Sequence, residues 1–171
     1  QHGHDVALID VSAPALEKAR ATIAANLERQ VKKGTLAAEA PAEILARIST
    51  GTDLAGAASA SLVIEAASEN PAIKFDIFAK LDALCAPETI LASNTSSISI
   101  TEIAAKTKRA SQVIGMHFMN PVPVMQLVEV IRGQATSDAT TAAVTELSRA
   151  LGKMRSRLEA RYLRRECRIG L

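Results

Sequence analysis

The sequence predicts an α/β fold built on a doubly wound, mostly parallel sheet, and three observations predict it. Short apolar runs alternate along the chain with longer segments whose apolar residues recur at helical spacing. No hairpin turn signal joins consecutive runs, so the strands are expected to lie parallel. Several runs also end in polar residues, and the carboxyl ends of strands are where such sheets hold ligands.

The elements follow in order. Residues 6–10 (Val-Ala-Leu-Ile-Asp) form an apolar run closed by an acid, read as a strand buried on both faces. Ser12 and Pro14 suit the start of a helix. Leu16, Ala19, Ile23 and Leu27 give it an apolar stripe, and Lys32-Lys33-Gly34 end it with a basic turn and a glycine. A short helix is expected over 40–47. Residues 61–67 (Ser-Leu-Val-Ile-Glu-Ala-Ala) read as the next strand. Asn70-Pro71 then starts a helix with Ile73, Ile77, Leu81 and Leu84 on one side. Residues 89–93 are a strand leading into the polar turn Asn94-Thr-Ser-Ser97, and Ser99 and Glu102 are spaced as a capping box. Residues 113–118 and 127–131 are strands joined by a link containing Asn120-Pro-Val-Pro123. A last helix over 137–151 carries Thr140, Val144, Leu147 and Leu151. The chain has no internal repeat and no low-complexity tract.

Composition sets the class. In 171 residues, 48% are apolar and 22% charged, a balance that excludes a disordered chain. No apolar run nears the ~20 residues that cross a bilayer. Two cysteines, Cys85 and Cys167, are too few for a disulfide framework, and a reducing, cytoplasmic location is expected. Four aromatic residues offer no stacking platform for single-stranded nucleic acid. No metal site, nucleic-acid partner or membrane partner is expected. Charge is uneven: residues 1–152 hold 13 basic and 16 acidic side chains, whereas 153–171 hold 7 and 2. The basic end is a nucleic-acid arm or sequence foreign to the fold. The chain enters its first strand within six residues and without Met, so an upstream segment is expected.

Four strand ends carry candidate chemistry. Asp10 stands where dinucleotide-binding folds hold a ribose, roughly 20 residues after a glycine-rich loop; it is otherwise a turn or cap. Counting back that far passes residue 1, and no G-x-G-x-x-G occurs in the chain. Glu65 lies inside an apolar run and needs a partner if buried. Glu69, in the turn after it, faces a ligand or caps the next helix. The turn 93–97 offers hydroxyls and an amide to a carbonyl or a nicotinamide, or is an ordinary polar turn. His117 and Glu129 lie in consecutive apolar strands; each is costly to bury alone, and they are either satisfied core residues or, paired, a general base and its orienter.

Three strings carry a family resemblance: Asn94-Thr-Ser-Ser97, Gly115-Met-His-Phe-Met-Asn-Pro121 and Pro121-Val-Pro-Val-Met-Gln-Leu-Val-Glu-Val-Ile131. Over roughly residues 4–153 the chain resembles the 3-hydroxyacyl-CoA dehydrogenases, the bacterial 3-hydroxybutyryl-CoA type most nearly. The resemblance implies a Rossmann-like, partial NAD-binding domain over 1–152, lacking the first strand and glycine-rich loop. It implies NAD as cofactor and oxidation of an (S)-3-hydroxyacyl-CoA in fatty-acid or butanoate metabolism. His117 would be the base and Glu129 its orienter, with Ser96 and Asn120 on the substrate's 3-oxygen and the nicotinamide side. Asp10 would hold the adenosine ribose, Ala66, Glu69 and Lys74 the rest of the NAD site, and Asn26 and Lys33 the CoA. Lys33 equally suits a helix's last turn as a dipole-compensating charge.

The chain also departs from that pattern. The helical domain through which the resemblance implies dimerisation is expected to be missing, and Cys167 stands at a position where the resemblance implies a substrate-contacting Asn. Residues 153–171 match nothing in the pattern, and a shifted reading frame is the expected cause. The alternatives are a catalytically inactive fragment, or one module of a multifunctional β-oxidation protein.

Overall fold

The computed structural model describes residues 1–159, the side chains of 154–159 excepted, and the chain forms two units that divide after Ala57. In the first, β1 (Val6–Ile9) leads into α1 (Ala13–Lys32), α2 (Ala40–Ala46) and β2 (Ile48–Gly51). The Ser12 hydroxyl caps α1 by accepting from the Ala15 N–H, Pro14 sits in its first turn, and Leu16 and Leu27 are buried. β2 pairs parallel with β1, Val6 opposite Ile48. The sequence pattern did not mark β2, because Ile-Ser-Thr-Gly has one large apolar residue and no alternation to read. Its start is held instead from outside: the Arg20 guanidinium donates to the carbonyls of Leu45 and Ile48, at 3.2 and 2.6 Å.

The second unit is a five-stranded sheet. Its elements are β3 (Leu62–Glu65), α3 (Pro71–Leu84), β4 (Ile90–Ser93), α4 (Ile100–Ala104), β5 (Val113–Phe118), β6 (Leu127–Arg132), α5 (Asp138–Ala150) and β7 (Met154–Glu159). The spatial order is β3-β4-β5-β6-β7. Every neighbouring pair is parallel except β5–β6, which is antiparallel and sets His117 opposite Glu129. The link from Phe118 to Leu127 explains that exception, since it is shorter than the dozen residues a parallel crossover needs.

Alternation along β5 separates the two faces of this sheet. Ile114 and Met116 join Ala92, Val128, Val130 and Val144 of α5 in one buried cluster. Gly115 lies on the other face, where a Cβ would stand 3.1 Å from Ile100 of α4. Helices therefore cover both faces, which is the doubly wound arrangement. The strands nevertheless form two ladders, because β1 pairs only with β2 and β3 only with β4 among the described residues.

Two further differences from the sequence reading concern helix face and chain end. In α3 the buried residues are Lys74, Phe78 and Leu81, while Ile73 and Leu84 are exposed. The helix is turned about one residue from the apolar stripe, and a buried Lys74 stands where hydrophobicity alone put a leucine or isoleucine. At the other end, Met154–Glu159 form β7, parallel to β6, where no strand was expected. Residues 160–171, including Cys167, lie outside the described residues.

Candidate active site

Strand register brings the polar strand ends of the second unit together. Glu65 pairs with Ser93, Ser93 with Gly115, and His117 with Glu129, so these side chains share the face of the sheet that α4 covers. His117 Nδ1 lies 2.9 Å from Glu129 Oε2, and both side chains are partly open to solvent, at 20% and 26%. A carboxylate in that position accepts the Nδ1–H proton, which leaves Nε2 as the acceptor of the ring. An imidazole held by a carboxylate and reachable from outside is what the arrangement supplies.

Behind it lies a buried ion pair. Lys74 Nζ donates to Glu65 Oε1 at 2.8 Å and to the Ala67 carbonyl at 3.2 Å, with the two charged side chains 1% and 2% exposed. Glu65 also accepts from the Ala67 N–H and from the Ser93 hydroxyl. The partner that Glu65 required is therefore Lys74, nine residues on and across the turn. Asn70 makes this possible by capping α3, accepting from the N–H groups of Ala72 and Ile73, so that the next turn points Lys74 inward.

Glu69 reaches the same ammonium at 3.5 Å through Oε2. Its Oε1 accepts from the Thr95 hydroxyl, the Ser97 hydroxyl and the N–H groups of Ser96 and Ser97, at 2.5 to 3.1 Å. Burial pushes the Glu69 carboxyl up, but these donors outweigh it and hold its pKa at about 2. The Ser96 hydroxyl approaches the same oxygen at 3.3 Å, the longest of the five contacts. One carboxylate oxygen cannot serve five donors equally. Ser96, exposed at the turn, is the donor most easily redirected to a ligand. Ala66 and Asn120 are also exposed, Ala66 just past β3 and Asn120 just past β5 at a cis Asn120–Pro121 bond. Lys153 ties the chain after Asn120 by donating to the carbonyls of Val122 and Met125.

The remaining candidates belong to the first unit. Asp10 is exposed after β1; its Oδ1 accepts from the Ser12 N–H at 2.8 Å, and its other oxygen has no protein partner among the described residues. Asn26 sits within α1 and accepts from Arg29, and Lys33 is exposed at the α1 C-cap. The sequence reading missed two residues of the network: the hold of Thr95 on Glu69, and Asn94, whose Oδ1 accepts from the Phe118 N–H at 2.8 Å. Both lie in the polar turn it had singled out, but nothing in the spacing told which side chain turns inward.

Helices on both faces of a largely parallel sheet, with acids, hydroxyls and a histidine gathered at its strand ends, define a dinucleotide-binding type of α/β domain. The family described as 3-hydroxyacyl-CoA dehydrogenase, NAD binding domain, matches residues 1–159, and the chain belongs to that family. The match runs through β7.

Among its relatives, the 3-hydroxybutyryl-CoA dehydrogenase of Clostridioides difficile is 49% identical over 152 residues, covering 89% of this chain and 54% of the relative. That of Bradyrhizobium diazoefficiens is 52% identical, covering 88% and 52%. The crystal structure of (S)-3-hydroxybutyryl-CoA dehydrogenase from Ralstonia eutropha superposes with a TM-score of 0.89 at 47% identity, covering 92% of this chain and 56% of that one. The chain thus spans about half the length of these relatives. NAD is the cofactor of this family's domain, and the polar groups present fit it. Asp10 has a carboxylate oxygen open to a ribose diol, and Ser96 has a hydroxyl in its loosest contact.

Proposed function

We propose that the full-length protein oxidises a short-chain (S)-3-hydroxyacyl-CoA, with 3-hydroxybutyryl-CoA the first candidate, to the 3-oxoacyl-CoA. The observation that carries this reading is the 2.9 Å contact between His117 Nδ1 and Glu129 Oε2. NAD, when bound, accepts the hydride from C3. His117 Nε2 takes the proton of the 3-hydroxyl, and Glu129 stabilises the imidazolium that forms. Ser96 and Asn120 hold the 3-oxygen and the nicotinamide amide, and Asp10 holds the adenosine ribose. Ala66, Glu69 and Lys74 would line the rest of the NAD site. Lys33 and Asn26, about two helical turns apart on one face of α1, meet the CoA. The reaction belongs to fatty-acid breakdown or butanoate metabolism. The carboxylate of Asp10 would repel a 2′-phosphate, which favours NAD over NADP.

The test is NADH formation by the purified full-length protein with (S)-3-hydroxybutyryl-CoA and NAD. Replacing the base, His117→Gln, is expected to lower kcat by roughly 10²–10⁴. Turnover near that of the unmodified protein would overturn the assignment.

A further inference from the structure

Beyond the base and its orienter, the end of β5 needs something to hold it. The β4–β5 ladder stops at Ser93 opposite Gly115, yet β5 continues to Phe118. His117 and Phe118 therefore pair with β6 on one side and have no strand rung from β4 on the other. Asn94, the residue just past β4, fills that place with its side chain. Its Oδ1 accepts from the Phe118 N–H at 2.8 Å, and its own N–H donates to the Glu65 carbonyl at 2.7 Å. The Asn94 amide thus acts as one more rung after the backbone of β4 has turned away.

We propose that Asn94 is a positioning residue for His117, acting through the Phe118 N–H. That N–H and the His117 carbonyl belong to one planar peptide unit, so holding the N–H constrains ψ of His117 and with it the direction in which its Cα–Cβ bond leaves the strand, while Glu129 holds the ring itself. Asn94 also begins the turn that carries Ser96, which Glu69 holds at its other end. The amide therefore sets the spacing between the base on β5 and the hydroxyl on the turn. Its effect lies in orientation, where a displacement of about 1 Å can cost 10²-fold in rate.

This inference rests on His117 being the base, and the experiment separates the two. Asn94→Ala in the full-length protein removes the acceptor. The expected result is a loss of kcat on the order of 10–100-fold with KM for either substrate within about threefold, and faster hydrogen exchange at the Phe118 amide. Asn94→Asp keeps an acceptor in the same place and is expected to restore most of kcat and the slow exchange. Should the alanine variant not fold, Asn94→Gln carries the test, because it keeps the amide but moves the carbonyl by one carbon; it is expected to lose kcat. Unchanged turnover and exchange in Asn94→Ala, a loss confined to KM, or an Asp variant as impaired as alanine would each overturn the proposal. If the unmodified protein shows no turnover, the proposed function fails, and Phe118 exchange in the variants still decides the role of Asn94.

Discussion

His117 and Glu129 are twelve residues apart in sequence and adjacent in space, and the proposed chemistry rests on that pairing. Directly opposed residues on antiparallel strands present their side chains on one face, which brings the imidazole within hydrogen-bond reach of the carboxylate. A one-residue slip of register would send one of them to the opposite face. Glu129→Gln keeps the shape but cannot neutralise the imidazolium, so kcat is expected to fall with KM little changed. Steady-state kinetics at saturating NAD check this, and an effect confined to KM would make Glu129 a structural residue. The same scale explains Lys74. An ammonium 1% exposed is tolerable only because Glu65, Glu69 and the Ala67 carbonyl surround it, and removing Lys74 would leave the buried Glu65 carboxylate without its cation.

At the scale of elements, the sheet closes tightly where β5, β6 and α4 meet. A Cβ on Gly115 would stand 2.8 Å from Ile131 Cβ and 3.1 Å from Ile100 Cδ1. Ile131 is the cross-strand partner of Gly115, so neither strand can yield without disturbing the ladder that carries His117. Gly115→Ala is expected to destabilise the protein by about 1–3 kcal/mol, read from urea unfolding. A variant as stable as the parent would show that both β6 and α4 yield freely at this point. The helix ends follow simpler rules. Ser12, Asn70, Ser99 and Ser137 each cap a helix by accepting from N–H groups of its first turn, and all four are residue types favoured there.

At the scale of the whole molecule, acid is the natural probe. The Glu69 pKa of about 2 lies below its usual 4.5, so its contribution to stability is fully present above about pH 4.5 and is lost as pH falls toward 2. Asp82 acts in the same direction. Burial raises its pKa, but the Lys108 N–H and the Arg109 guanidinium outweigh that and hold it low. Glu69→Gln is expected to lower Tm at neutral pH, by an amount that shrinks steadily between about pH 5 and pH 2. Thermal unfolding of both proteins across that range checks the prediction, and a gap independent of pH would mean that the carboxylate charge does not hold the 95–97 turn. No described helix is long and apolar enough to cross a membrane.

The sequence by itself determined the alternation of strands and helices, the caps and the residues at strand ends, because these depend on neighbours a few positions away. It also placed His117 and Glu129 in consecutive strands, and the motifs around them carried the family. Tertiary structure decided what depends on distant partners. Ile48–Gly51 became a strand only by pairing with β1, and Met154–Glu159 only by pairing with β6. The face of α3 was decided by a buried charge, since Lys74 could turn inward only where Glu65 awaited it. Which side chains of the 94–97 turn bind Glu69 and Phe118 was decided by strand register, because the order of small polar residues has no periodicity from which direction can be read.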